Sequence, residues 1–167
     1  MRNLLLLSMG LILLATTAVA QNNNKVDLFG GYQYSRVNPG EGASGLNFNG
    51  WNAAVTGYVN KWFGITGDIS GAYKEGVHFH SFMGGVTVAP AHQKTVSPFV
   101  HALFGGVHGS GGGFSDNAFS MALGGGIDIH GHGHFGFRPI QADYAMTRFF
   151  STTQNNVRIS TGILISF

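Results

Sequence analysis

From Val157 to Phe167 the chain alternates apolar and polar residues for most of its length and ends on an aromatic. Val157, Ile159, Thr161, Ile163, Ile165 and Phe167 fall on one face of a strand, and Arg158, Ser160, Gly162 and Ser166 on the other. Only Leu164 breaks the pattern. A strand with an apolar and a polar face, finishing on an outward aromatic, fits the closing strand of a transmembrane β-barrel. There lipid takes the apolar face and the lumen takes the polar one. A soluble sheet also alternates, but it has less reason to finish on its apolar face at the last residue.

The opposite end agrees. Arg2 is followed by an apolar run from Leu4 to Leu14 and then by Ala18, Val19 and Ala20. That order of charge, apolar core and small residues is the pattern of a cleaved secretory signal peptide over residues 1–20. The run is shorter than the roughly 20 apolar residues a membrane-spanning helix needs. Cleavage leaves residues 21–167 as one domain's worth of chain, with Gln21 to Asn24 as a polar lead-in. No Cys is present, so disulfides, thiol chemistry and a lipoprotein anchor are excluded. Formal net charge falls from +2 to +1 with Arg2, the one charged residue of the leader. The remaining basic residues are scattered singly, which argues against a nucleic-acid partner.

Composition narrows the class. The chain has 27 glycines and only 10% charged residues, against about 7% Gly and about 25% charged in ordinary soluble domains. So few charges cover a water-facing surface poorly. No second long apolar run exists, which excludes a helical membrane protein. An exported chain rich in glycine and aromatics, without helical spans, points to a barrel.

Eight segments alternate between turn-rich stretches: residues 26–36, 51–60, 63–73, 77–88, 96–107, 118–129, 135–147 and 157–167. The even count puts both ends on one side, as a single-chain bacterial barrel requires. With periplasmic termini, residues 38–49, 74–76, 108–117 and 149–156 become extracellular loops, and 60–61, 89–95 and 130–134 periplasmic turns. Residues 109–113, Gly-Ser-Gly-Gly-Gly, are expected to form a flexible loop. Alternation turns Asp27, Asp68, Asp128, Asp143 and Arg158 inward. A bulge at Pro139 would add Arg138, and His101 joins them on its strand's inner face. An eight-stranded barrel is just wide enough for side chains to fill it. Opposite charges there must pair, because isolated buried charges are very costly. The seven residues are therefore expected to form an interior polar network that plugs the lumen.

Several stretches resemble the outer-membrane β-barrel domain family, which is related to the barrel of OmpA and to OmpX. They are Val26 to Tyr32, Trp51 to Gly57, His101 to Gly106 and Arg138 to Tyr144. The resemblance covers essentially the whole mature chain. It implies insertion by the outer-membrane barrel-assembly machinery, which reads a C-terminal strand ending in an aromatic. Ile163, Ile165 and Phe167 match that signal. The family's members are structural, adhesive, defensive or enzymatic, so the resemblance implies fold and location rather than a role. With the closing strand at the last residue, no cell-wall-binding domain is expected to follow.

Three further features invite chemistry. His130, His132 and His134 crowd one turn, with His92 in a neighbouring turn, and imidazoles suit zinc, copper or nickel. Asp128 is the one acid close by in sequence, and a solvated turn is the simpler reading. His78, His80 and Ser81 lie near an extracellular strand end, where some eight-stranded barrels act on lipid A. Adjacent strand residues point to opposite faces, so His80 and Ser81 cannot pair. Trp51, Trp62, Phe63, Tyr73, Phe149 and Phe150 sit near strand ends, where aromatic girdles meet membrane interfaces.

The expectation is thus an all-β, eight-stranded, antiparallel up-and-down barrel in the bacterial outer membrane. It is monomeric, non-enzymatic and without a cofactor, in contact with outer-membrane lipid and lipopolysaccharide. Its alternatives are a narrow porin for small solutes and a soluble, secreted lipocalin-like barrel. The lipocalin would turn its apolar faces inward and would need many more surface charges than this chain has.

Overall fold

The computed structural model describes residues 25–38, 45–92, 94–111, 113–149 and 152–167. The proposed signal peptide, the lead-in before Lys25 and Phe150 lie outside the described residues, as does most of the expected loop after Asn38. Eight strands follow in chain order: β1 (Val26–Val37), β2 (Leu46–Tyr58), β3 (Phe63–Lys74), β4 (Val77–Val88), β5 (Val96–Gly111), β6 (Phe114–His130), β7 (Phe135–Phe149) and β8 (Thr152–Ser166). Each pairs antiparallel with the next, and β8 pairs with β1 to close the barrel. Closure leaves no strand edge unpaired, the condition for β-structure surrounded by hydrocarbon.

Alternation decides the two faces. Among the described residues, large apolar side chains such as Ile65, Phe82, Val100, Phe104 and Ile163 are exposed on the outer wall. Buried polar or charged residues outnumber buried apolar ones by 23 to 11. The chain is therefore built inside out relative to a water-soluble barrel. This disposes of the lipocalin alternative, whose apolar faces would line the interior.

At the end carrying both termini the connections are close to those expected. The Asn60 carboxamide oxygen accepts from the backbone N–H groups of Trp62 and Phe63 at 3.0 and 2.8 Å, fixing the β2–β3 turn. At the opposite rim the strands run further than alternation suggested. β2 begins at Leu46 rather than Trp51, and β8 at Thr152 rather than Val157. The expected flexible loop at 109–113 is largely strand: β5 continues to Gly111 and β6 starts at Phe114. Register explains the extension, because His108 pairs with Asn117 and Gly111 with Phe114 in an unbroken ladder. Gly111 and Gly113 carry φ of +138° and +87°, so glycine permits the tight reversal. Between β3 and β4, Glu75 and Gly76 both have positive φ, as a two-residue type I′ hairpin requires.

Leu164, the residue that interrupts the alternation of β8, points inward and is fully buried. A Cβ added at Gly136 of β7 would stand 3.4 Å from the Leu164 Cβ and Cδ2. Leu164→Ala is expected to lower unfolding stability in detergent micelles by about 2–5 kcal/mol, the usual cost of a buried leucine. Ile163→Ala, on the outer wall, should cost far less in the same denaturant titration.

Candidate functional site

The inner wall holds one connected set of charges. Arg158 on β8 donates from Nε to Asp143 Oδ2 at 2.7 Å. Its Nη1 reaches across the lumen to Asp68 Oδ1 on β3 at 2.9 Å. Asn52 on β2 donates to Asp68 Oδ2 at 2.8 Å. Asp143 also meets His101 Nε2 at 2.7 Å and accepts from Gln141 Nε2 at 2.8 Å. Gln141 in turn accepts from Arg138 Nη1 at 2.6 Å. Arg138 grips Asp128 bidentately, at 2.6 and 2.9 Å. Phe29 and Phe99 enclose its guanidinium, each ring centroid 4.3 Å from Cζ.

Local backbone features place these groups. The register of β7 shifts between Arg138 and Gln141, so both side chains face inward although three positions separate them. Gly124 on β6 stands opposite Asp143, where an added Cβ would fall 2.1 Å from the carboxylate oxygen. Glycine there is the space the Asp143 carboxylate occupies. Shorter hydroxyl ladders continue the polar lining: Thr56 to Thr66 at 2.9 Å, Thr66 to Thr87 at 2.6 Å and Ser70 to Ser81 at 2.7 Å.

The Arg158 layer divides the interior. Above it, towards the rim remote from the termini, a cavity of about 90 Å³ is lined by polar residues such as Gln33, Ser70 and Thr147 together with apolar ones such as Phe79, Met83 and Val107. Below it, between Asp68, His101 and Arg138, the gap is about 10 Å³, room for about one water molecule.

Of the seven interior residues named from sequence, Asp68, His101, Asp128, Arg138, Asp143 and Arg158 belong to this network. Asp27 is buried but apart from it. Its Oδ1 accepts from Ser166 Oγ at 2.6 Å, and its Oδ2 lies 3.5 Å from His92 Nδ1. Alternation missed Phe29 and Phe99 as partners of Arg138. The available signal was the pair Leu28-Phe29, of which one member must face inward.

The three histidines of the β6–β7 connection do not converge. His132 is exposed on the turn, and His134 Nδ1 meets the Ser166 carbonyl at 2.7 Å while its ring stacks on Phe167. His130, at the end of β6, lies instead beside His92. At the other rim, His80 Nε2 meets the Tyr73 hydroxyl at 3.1 Å, and Ser81 turns inward to Ser70. His80 and Ser81 therefore do not pair with each other. Trp51 donates to the same Tyr73 hydroxyl at 3.1 Å, joining two of the expected girdle residues on the outer wall.

No family model matches the chain, and no curated protein matches it in sequence. Solved structures do match. The attachment invasion locus protein Ail of Yersinia pestis is similar at 21% identity and TM-score 0.59, over 86% of this chain and 99% of Ail. Neisserial surface protein A aligns at 12% identity and TM-score 0.70, over 85% and 97%. The fold is that of the small outer-membrane barrels. The N-terminal barrel domain of Pseudomonas aeruginosa OprF, at 11% identity and TM-score 0.56, covers 87% of this chain and is itself covered entirely.

Arg158→Ala would leave Asp68 and Asp143 facing each other without their shared cation. It is expected to cost about 3–5 kcal/mol in denaturant unfolding of the micelle-bound barrel. Gly124→Ala should lower the same midpoint by displacing the Asp143 carboxylate, whereas Gly30→Ala, which meets nothing within 4 Å, should not.

Proposed function

We propose that the chain is an integral outer-membrane barrel, exported through a cleaved leader, with a structural or surface-interaction role and a lumen plugged by its own ion pairs. The observation that carries this reading is the inside-out distribution of residues: an apolar outer wall on every strand around a polar, cross-linked interior. The outer wall fits lipid, with lipopolysaccharide as the lipid of the outer leaflet, and the exposed Phe167 fits recognition by the barrel-assembly machinery. The likeness to Ail, Neisserial surface protein A and OprF supports the same membrane. Closure within one chain supports a monomer.

Plugging is supported by the Arg158 bridge to Asp68 and Asp143 and by the narrow gap beneath it. Near His80 the side chains have other partners, His80 with Tyr73 and Ser81 with Ser70. The surface role falls to the rim remote from the termini, where β5 and β6 run 16 and 17 residues, beyond the roughly 9–11 that cross a bilayer. The two strands would carry His108 and Asn117, paired side chain to side chain at 2.9 Å, out on an ordered ribbon.

The test is gel mobility of the detergent-folded protein, unheated against boiled. A compact band that resists SDS when cold and shifts on boiling is expected. Unchanged mobility in a protein that stays soluble without detergent would overturn the membrane reading. Ile69→Arg, in mid-strand on the outer wall, should cost about 2–4 kcal/mol if Ile69 meets the bilayer midplane. In planar bilayers no steady conductance is expected, and a resolved single-channel current would replace the plug with a narrow pore.

A further inference from the structure

At the end carrying the termini, three side chains from distant parts of the chain converge. Asp27 opens β1, His92 lies in the connection between β4 and β5, and His130 ends β6. Each offers one ligand atom, and these atoms all lie within 4.8 Å of one another. Asp27 and His92 are each only 3% exposed, and His130 is half-buried. We propose that Asp27, His92 and His130 form a binding site for one borderline divalent cation of the zinc class.

The atoms not aimed at the centre are already held. Ser166 donates to Asp27 Oδ1, which leaves Oδ2, a buried atom that receives no hydrogen bond, facing the two imidazoles. His130 Nδ1 lies 3.2 Å from the Lys94 carbonyl. A carbonyl can only accept, so Nδ1 carries the proton and Nε2 presents a lone pair. That Nε2 is likewise buried without a hydrogen bond. An N–H to carbonyl bond on the far side of a ligating imidazole is the usual outer support of a metal site. The His92 ring is fixed by stacking on Tyr58, centroids 3.6 Å apart and planes at 18°. Its Nδ1 stands 3.5 Å from Asp27 Oδ2. Two ligands of a tetrahedral ion, each about 2.0–2.1 Å from it, stand roughly 3.3 Å apart. The third, within 4.8 Å of the other two, closes the site with a shift of up to about 1.5 Å.

Charge supplies an independent argument. Among the described residues the interior carries four carboxylates, and its two guanidiniums are committed elsewhere: Arg138 to Asp128, and Arg158 to Asp68 and Asp143. The groups facing Asp27 are His92, His130, Tyr58 and the Asp128 carboxylate. None of these is a fixed cation, and a buried carboxylate without one is costly. A bound dication would meet that need. Two imidazoles and one carboxylate select zinc, copper or nickel over calcium and magnesium, which prefer all-oxygen shells. Such an ion would tie β1, the β4–β5 connection and β6 together at one end of the barrel.

The test uses the mature chain folded in detergent micelles, stripped with chelator and titrated with zinc by calorimetry and with cobalt(II) by visible absorption. One equivalent is expected, with the cobalt bands displaced by zinc. His130→Gln and His92→Gln should each weaken binding by at least about 10–100-fold, the loss already seen for outer-shell partners. The double variant with His132→Ala and His134→Ala should bind as the parent does. The heat-modifiable gel shift establishes that each variant has folded, and half-buried His130 is the substitution least disturbing to the fold. Failure of the parent to bind one equivalent would overturn the site and leave a His92–Asp27 ion pair in its place. Binding that survives both Gln variants, depends on His132 and His134, or is matched by calcium would overturn it equally.

Discussion

Pairing of β8 with β1 leaves every strand with a neighbour on both sides, and the remaining features of the chain depend on that closure. A closed sheet of eight strands has a fixed, narrow bore. Side chains that point inward must meet their counterparts from across the barrel, whatever their separation in sequence. Asp68 and Arg158 lie 90 residues apart yet share two hydrogen bonds, at 2.9 and 3.4 Å. Closure thus turns distant alternating positions into a compact polar core, while every second residue is released to an apolar exterior.

Within that bore the charges are arranged by relay rather than by isolated pairs. Arg158 holds two carboxylates, Asp143 collects a guanidinium, an imidazole and a carboxamide, and Gln141 passes the chain on to Arg138. Such a network is favourable only when nearly all its members are satisfied. Gly124 gives the Asp143 carboxylate its space, and the β7 bulge lets Arg138 and Gln141 face the same way. The backbone irregularities therefore belong to the electrostatics of the interior.

Much of this was legible in the sequence, because a period of two assigns each residue to a face without reference to its partners. The strand number, the outer wall and the inward turn of Asp68, Asp143 and Arg158 follow from that rule alone. It says less where glycine and polar residues carry no alternation. Hence the upper ends of β5 and β6 are strand where a loop was expected, held by backbone pairing that continues from the strands below. Alternation also names no partners. That Arg138 would lie between Phe29 and Phe99, or that His130 would meet Asp27 and His92 rather than its own turn, depends on how the sheet rolls up.

The unequal gaps on either side of Arg158 give the interior a direction. The space above it holds about 90 Å³ and the space below about 10 Å³. A lumen plugged as proposed would make the barrel a cup rather than a tube, with Arg158 at the floor of the larger cavity. Arg158 is buried beneath the larger cavity, whose lining mixes Gln33, Ser70 and Asn156 with Phe79, Met83 and Val107. Towards the other end lie Arg138 and its two aromatic rings. The two ends of the barrel thus offer different chemistry to what approaches them: a cavity of mixed polar and apolar lining on one side, and a guanidinium held between two aromatic rings on the other.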